Sequence, residues 1–140
     1  MTYATPDHMV ARFSQDELMQ LTDREGLGEI NASVLAQALA DADALINGYL
    51  RAAYTLPLAA VPVDLVRVAC DLARFFLYDD RVTETVQKRR DEAIGWLKDV
   101  AAKRVSLGAD SGGNPAAAPS GAVSFVAGQR VFSAGSLRDF

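Results

Sequence analysis

The stretch Ala38-Leu39-Ala40-Asp41-Ala42-Asp43-Ala44-Leu45-Ile46-Asn47-Gly48-Tyr49-Leu50-Arg51-Ala52-Ala53-Tyr54-Thr55-Leu56-Pro57-Leu58 decides the fold. Ala38, Leu39, Ala42, Leu45, Ile46, Tyr49 and Leu50 recur at spacings of three and four, the period of one helix face. Val34 and Leu35 extend the stripe backwards to Asn31, a capping residue, which predicts a helix over about 32–51. Asp41 and Asp43 fall off the centre of the stripe. The many alanines let a neighbouring helix approach closely. Pro57 marks the loop that follows, Ala52–Val61, and Pro62 can open the next helix.

Working outward, a helix over about 62–79 carries Leu65, Val66, Ala69, Leu72, Ala73, Phe76 and Leu77. Another, over about 83–104, starts near Thr83 and carries Val86, Ala93, Ile94, Leu97 and Val100, with Trp96 beside the stripe. Towards the N-terminus, Thr5 can cap a short helix that Pro6 begins, because proline's missing N–H would be unpaired there anyway. Met9, Val10 and Phe13 are its inward residues. Ser14-Gln15-Asp16-Glu17 has the form of a capping box and opens a second short helix through Leu18 and Leu21. Thr22 to Glu29 is a polar loop with Gly26 and Gly28. Helices joined by loops, with no strand signal, make residues 1–108 an all-α bundle of four to five helices.

The composition changes after Gly108. Residues 109–122 are rich in Gly, Ala, Pro and Ser and read as a linker. Residues 123–140 follow as an extended C-terminal arm, with the alternation of short β structure around Val123 and Phe125. Its apolar and cationic residues, Phe125, Val126, Arg130, Val131, Phe132, Leu137, Arg138 and Phe140, are the candidate partner-binding set. A tail of this kind either frays or folds back on its own bundle, or is an arm that docks on another subunit by strand addition or by aromatic anchors; the three phenylalanines favour the arm.

A chain of 140 residues with half of them apolar is expected to form one domain with a real core. The net charge is −4; residues 109–140 balance, so the excess acid lies in residues 1–108. No basic patch of the kind that grips phosphates stands out, and Lys88-Arg89-Arg90 reads as a solvated helix face. The single cysteine, Cys70, excludes an intrachain disulfide, points to an intracellular origin and reads as a buried small hydrophobe. No apolar run is long enough to span a membrane, and no signal-peptide core is expected at the N-terminus.

The chemistry-bearing residues do not assemble into a catalytic pattern. His8 is the one histidine and reads as a surface or helix-terminal residue. Asp79-Asp80 with Glu84 lacks the ligand spacing and glycine turn of a calcium loop. Asp41 and Asp43 diverge on a helix, and no phosphate-binding glycine loop occurs. The second short helix begins Asp16-Glu17, where a DNA-reading helix would place its base contacts. No enzyme, cofactor or metal is expected. Tyr49, Tyr54, Leu56 and Trp96 are core or interface residues and serve as candidate contacts between subunits.

Several ordered segments carry a resemblance: Tyr3-Ala4-Thr5-Pro6-Asp7, Leu21-Thr22-Asp23, Ala38–Leu58, Val61-Pro62, Ala69–Tyr78 and Arg90–Leu97, with a closing segment Arg130–Phe140. Together they resemble the Mu-like phage head–tail connector family. The chain departs from that pattern at Asn47, where relatives often carry an acid, and at Ala53, where they often carry arginine before the tyrosine. The resemblance implies a polar contact at these positions that this chain lacks. It also implies a virion neck adaptor made in the host bacterial cytoplasm, a ring of about twelve copies between the portal and a tail-side terminator or stopper protein. Genome DNA would pass through the pore without sequence-specific binding, and no membrane would be involved. A helical interaction or regulatory module of a prophage, outside the virion, is the alternative.

Overall fold

The computed structural model describes residues 2–107. Five helices follow one another: α1 (Pro6–Phe13), α2 (Gln15–Thr22), α3 (Ala32–Leu50), α4 (Val63–Leu77) and α5 (Glu84–Ala101). The described residues contain no strand. The fold is the all-α bundle that the periodicity predicts. Linker 109–122 and arm 123–140 lie outside the described residues, as do all eight arm positions named above.

Helix α4 is the centre. Leu65, Val68, Ala69, Cys70, Leu72, Ala73 and Leu77 are buried along it, so most of its circumference meets protein. Small residues at Ala69, Cys70 and Ala73 leave room for flanking helices. Helix α3 packs along α4 most extensively, α5 packs against both, and the α1–α2 pair covers α4 from the remaining side. From α3, Leu35, Ala38, Leu39, Ala42, Ile46 and Leu50 enter the core; from α5, Val86, Ala93, Leu97 and Val100 do. Each fully buried Leu- or Ile-sized side chain contributes about 1.5–3 kcal/mol of transfer free energy.

The helix starts are fixed locally. Asn31 accepts from Ser33 and Val34 N–H, and Thr83 from Val86 N–H. The reciprocal capping box falls on α1 rather than α2. Thr5 Oγ1 accepts from His8 N–H, and His8 Nδ1 accepts from Thr5 N–H at 3.1 Å. An imidazole thus does the work usually given to glutamate. At α2 Ser14 caps Glu17 N–H, but the Glu17 carboxylate has turned away to Arg74. Val10 is 37 % exposed, so α1 buries Met9 and Phe13 only.

Two segments that the periodicity does not address are also part of the core. Tyr3 and Ala4 are buried ahead of α1. Tyr3 donates its N–H to Asp43 Oδ1 at 3.0 Å and its hydroxyl to Asn47 Oδ1 at 2.5 Å, strapping the N-terminus along α3. Asn47 therefore does make a polar contact, contrary to what the resemblance implies. Ala53 is fully buried, and an arginine could not take its place without rearrangement.

Candidate functional site

The four candidate contact residues inside the described chain sit in or against its own core. Tyr54 is 4 % exposed, and its hydroxyl accepts from Leu107 N–H at 2.9 Å. Tyr49, Leu56 and Trp96 are half-buried and pack onto the core cluster. The structure supplies them from three places: α3, the loop that follows it and α5.

What it does bring together is a set of arginines from three helices. Arg12 and Phe13 at the end of α1, Arg67 and Asp71 on α4, and Arg89 and Glu92 on α5 line a cleft of about 410 Å³. Arg67 pairs with Asp71 at 3.7 Å, one helical turn on. Burial pushes the Asp71 carboxyl above its ordinary range, against the pull of Arg67, Arg89, Arg12 and Arg74. So Asp71 is an acid held in a cationic shell, with the desolvation cost still dominant. Arg12 and Arg89 are exposed and make no ion pair or hydrogen bond among the described residues. The Arg67–Asp71 spacing of four was legible in the sequence; the approach of α1 and α5 was not.

Beside this cleft lies a clamp. Arg74 donates to Glu17 Oε1 through Nε at 3.1 Å and Nη2 at 2.6 Å, and its guanidinium stacks 4.5 Å from the Phe13 ring centre. Tyr78 donates its hydroxyl to the same oxygen at 3.2 Å. Burial, and then the Glu17 charge, push the Tyr78 phenol up. On α5, Arg90 covers the Phe75 ring at 5.0 Å, so the basic cluster at 88–90 is only partly a solvated face.

A second surface is acidic, and Asp23, Glu25, Leu27 and Glu29 line a pocket there of about 370 Å³. The loop between α2 and α3 is held by Asp23, whose carboxylate accepts from Leu27 N–H at 2.8 Å and Gly28 N–H at 2.7 Å. These bonds hold the Asp23 carboxyl below its usual range. Gly26 and Gly28 both adopt φ +74°, a conformation in which a Cβ would be strained. The loop displays Leu27, 66 % exposed, between Glu25 and Glu29.

The described residues hold no group of three or more His, Cys, Asp or Glu placed to bind a metal ion. Cys70 is buried, and burial raises its thiol to about 11. None of the described helices is long and apolar enough to cross a membrane. The described residues thus present an arginine-lined cleft and an acidic loop on a small helical frame.

The family described as Bacteriophage Mu, Gp36 matches residues 3–126. The chain belongs to this Gp36 family. It is 37 % identical over 122 residues to gene product J of Escherichia phage Mu, covering 86 % of this chain and 85 % of that one. It is also 32 % identical over 106 residues to the Mu-like prophage FluMu protein gp36 of Haemophilus influenzae, covering 76 % and 75 %. The Gp36 match spans all five helices, the cleft and the acidic loop. It runs on past residue 122 into the first positions of the arm.

Proposed function

We propose that this Gp36-family protein is a structural component of the phage particle. In this reading it is a head–tail connector that forms a ring, of about twelve copies, between the portal and the tail-side terminator or stopper protein. The observation that carries the reading is the kinship with a phage Mu gene product over 86 % of the chain, on a small helical bundle. A bundle of this size buries its core without a partner and keeps its charged surfaces for neighbours. A head-to-tail contact whose rotation divides a full turn closes into a ring. The segment 123–140, with Phe125, Phe132 and Phe140, is the docking arm that reaches the portal or an adjacent subunit, and DNA passes through the pore without being read.

Electron cryo-microscopy of particles from the phage that encodes this chain tests the reading. Density for a ring of helical bundles at the neck supports it. Absence of the chain from the particle moves the function to a regulatory module of the prophage. Deleting residues 109–140 is expected to leave a folded bundle and to abolish infectious particles. Normal titres from that deletion would remove the arm from the proposal.

A further inference from the structure

The cleft carries the exposed arginines Arg12 and Arg89 beside Asp71 and Glu92, and the loop carries the exposed carboxylates Glu25 and Glu29. The geometry points to a head-to-tail contact between copies of this chain, in which the Asp23–Glu29 loop of one copy seats in the arginine-lined cleft of the next. Glu25 and Glu29 meet Arg12 and Arg89, and Leu27 enters between them towards Phe13. The inference rests on the ring reading above for the contact being repeated about an axis. It rests on these two surfaces for the contact itself.

Four observations select a second copy as the occupant. First, Arg12 and Arg89 are exposed in the cleft and feel the charge of Asp71 but make no ion pair among the described residues, and the loop offers two exposed carboxylates, Glu25 and Glu29. Unpaired charges of opposite sign on one surface steer copies together and penalise wrong registers. Second, the loop is pre-organised. The Asp23 carboxylate and two glycines at φ +74° hold it open before any contact, so little ordering entropy is lost on docking. Third, Leu27 is a large apolar side chain, 66 % exposed, at the tip of a polar loop, as an anchor residue would be. Fourth, the loop cannot reach its own cleft. Arg24 is paired with Asp79 at 3.1 Å, which holds the loop base beyond the C-terminal end of α4. The cleft lies around Arg67 and Asp71, on the order of 10 Å back along that helix. The cleft is built by α1, α4 and α5 and the loop joins α2 to α3, so one copy can engage a neighbour through each.

The test is charge reversal on the full chain, read by sedimentation over a concentration series. Wild type is expected to self-associate, and more weakly as salt is raised. Arg12→Glu with Arg89→Glu, and separately Glu25→Arg with Glu29→Arg, are each expected to weaken association by at least about 10-fold. Mixing the two variants in equal amounts is expected to restore it, because each then offers the other a matched surface. All four positions are exposed, and helical circular dichroism verifies that each variant is folded. Leu27→Asp gives the same loss through a single exposed residue. A wild type that stays monomeric throughout, variants that associate as wild type does, or a mixture that fails to recover would each overturn the contact. Loss in the arginine variant alone would mean that the cleft meets a different acidic segment of a second copy and would overturn docking by the Asp23–Glu29 loop. None of these outcomes bears on whether the chain is found at the neck of the particle, so the two proposals fail separately.

Discussion

Arg74 and Glu17 form the joint between the α1–α2 pair and the central helix. They stand 2.6 Å apart across 57 positions of sequence, with 17 % and 23 % of their side chains exposed. The same guanidinium stacks on Phe13, so one side chain ties α4 to both short helices. Arg74→Ala removes a charge-assisted pair, a stacked cation and part of the α1 packing. It is expected to cost about 2–3 kcal/mol in urea unfolding. Arg74→Lys is expected to recover less than half of that, because an ammonium neither donates as a planar fork nor stacks as a plane.

Ser14 serves two helices at once and is strained in doing so. It ends α1 and caps α2 at φ 76° and ψ 152°, a region that suits glycine. Glycine loses only a few tenths of a kcal/mol as a cap relative to serine, while relief of the strain is worth on the order of 1 kcal/mol. Ser14→Gly is therefore expected to raise the unfolding midpoint. Ser14→Ala keeps the strain and loses the cap, and is expected to lower stability by about 1 kcal/mol. Thermal melts of the two variants should move in opposite directions.

Asp71 gives the fold a dependence on pH with a definite sign. Burial raises its folded value above the ordinary carboxylate range, with Arg67, Arg89, Arg12 and Arg74 opposing. The folded state then holds the proton to higher pH than the unfolded chain does. Its contribution is most favourable below the unfolded carboxylate value and is lost as pH rises from there through the raised folded value. Asp71→Asn removes the titration and keeps the shape. The difference in unfolding free energy, wild type minus variant, is expected to fall with rising pH through that window and to be flat outside it. A difference that rises with pH would mean that the arginines, not burial, govern this carboxyl.

The thiol of Cys70 is a probe of opening of the core. It is fully buried in α4, and its raised value of about 11 leaves little thiolate at pH 8. Modification by a disulfide reagent at that pH is expected to run on the order of 100-fold slower or more in buffer than in denaturing urea. Comparable rates would mean that α4 is exposed in the native state.

Ile46 measures the α3–α4 seam. It is fully buried in the C-terminal third of α3, the longest of the described helices. Ile46→Ala is expected to cost about 2–5 kcal/mol, with Ile46→Val nearer 1 kcal/mol, in equilibrium unfolding.

The helices were legible in the sequence because their signals are local. Stripe spacing at Leu35, Leu39, Ala42, Ile46 and Leu50, Asn31 and Thr83 as caps, and Pro62 as a boundary each act within a turn or two of chain. What was not legible depends on contacts between distant residues. Nothing near Glu17 says that its carboxylate prefers Arg74 to its own helix cap, and nothing near His8 says that an imidazole completes a capping box. Tyr3 and Ala4 carry no periodicity, yet α3 supplies Asp43 and Asn47 to hold them. Asp71 sits in an apolar run where the arginine four residues before it, Arg67, was visible, but Arg12 and Arg89 come from other helices. The Tyr54 hydroxyl meets Leu107, 53 positions away, which no local pattern announces.

That last bond gives the rest of the chain a fixed origin. Leu107 is buried, and its N–H is pinned to Tyr54 beside the loop between α3 and α4. Residues 108–140 thus depart from one defined point on the bundle rather than from a fraying helix end. At no more than about 3.6 Å per residue, Phe140 stays within roughly 120 Å of that point. If this segment docks as proposed, its partner lies inside this tether radius, and in the proposed ring the departure points would repeat at equal angles about the axis.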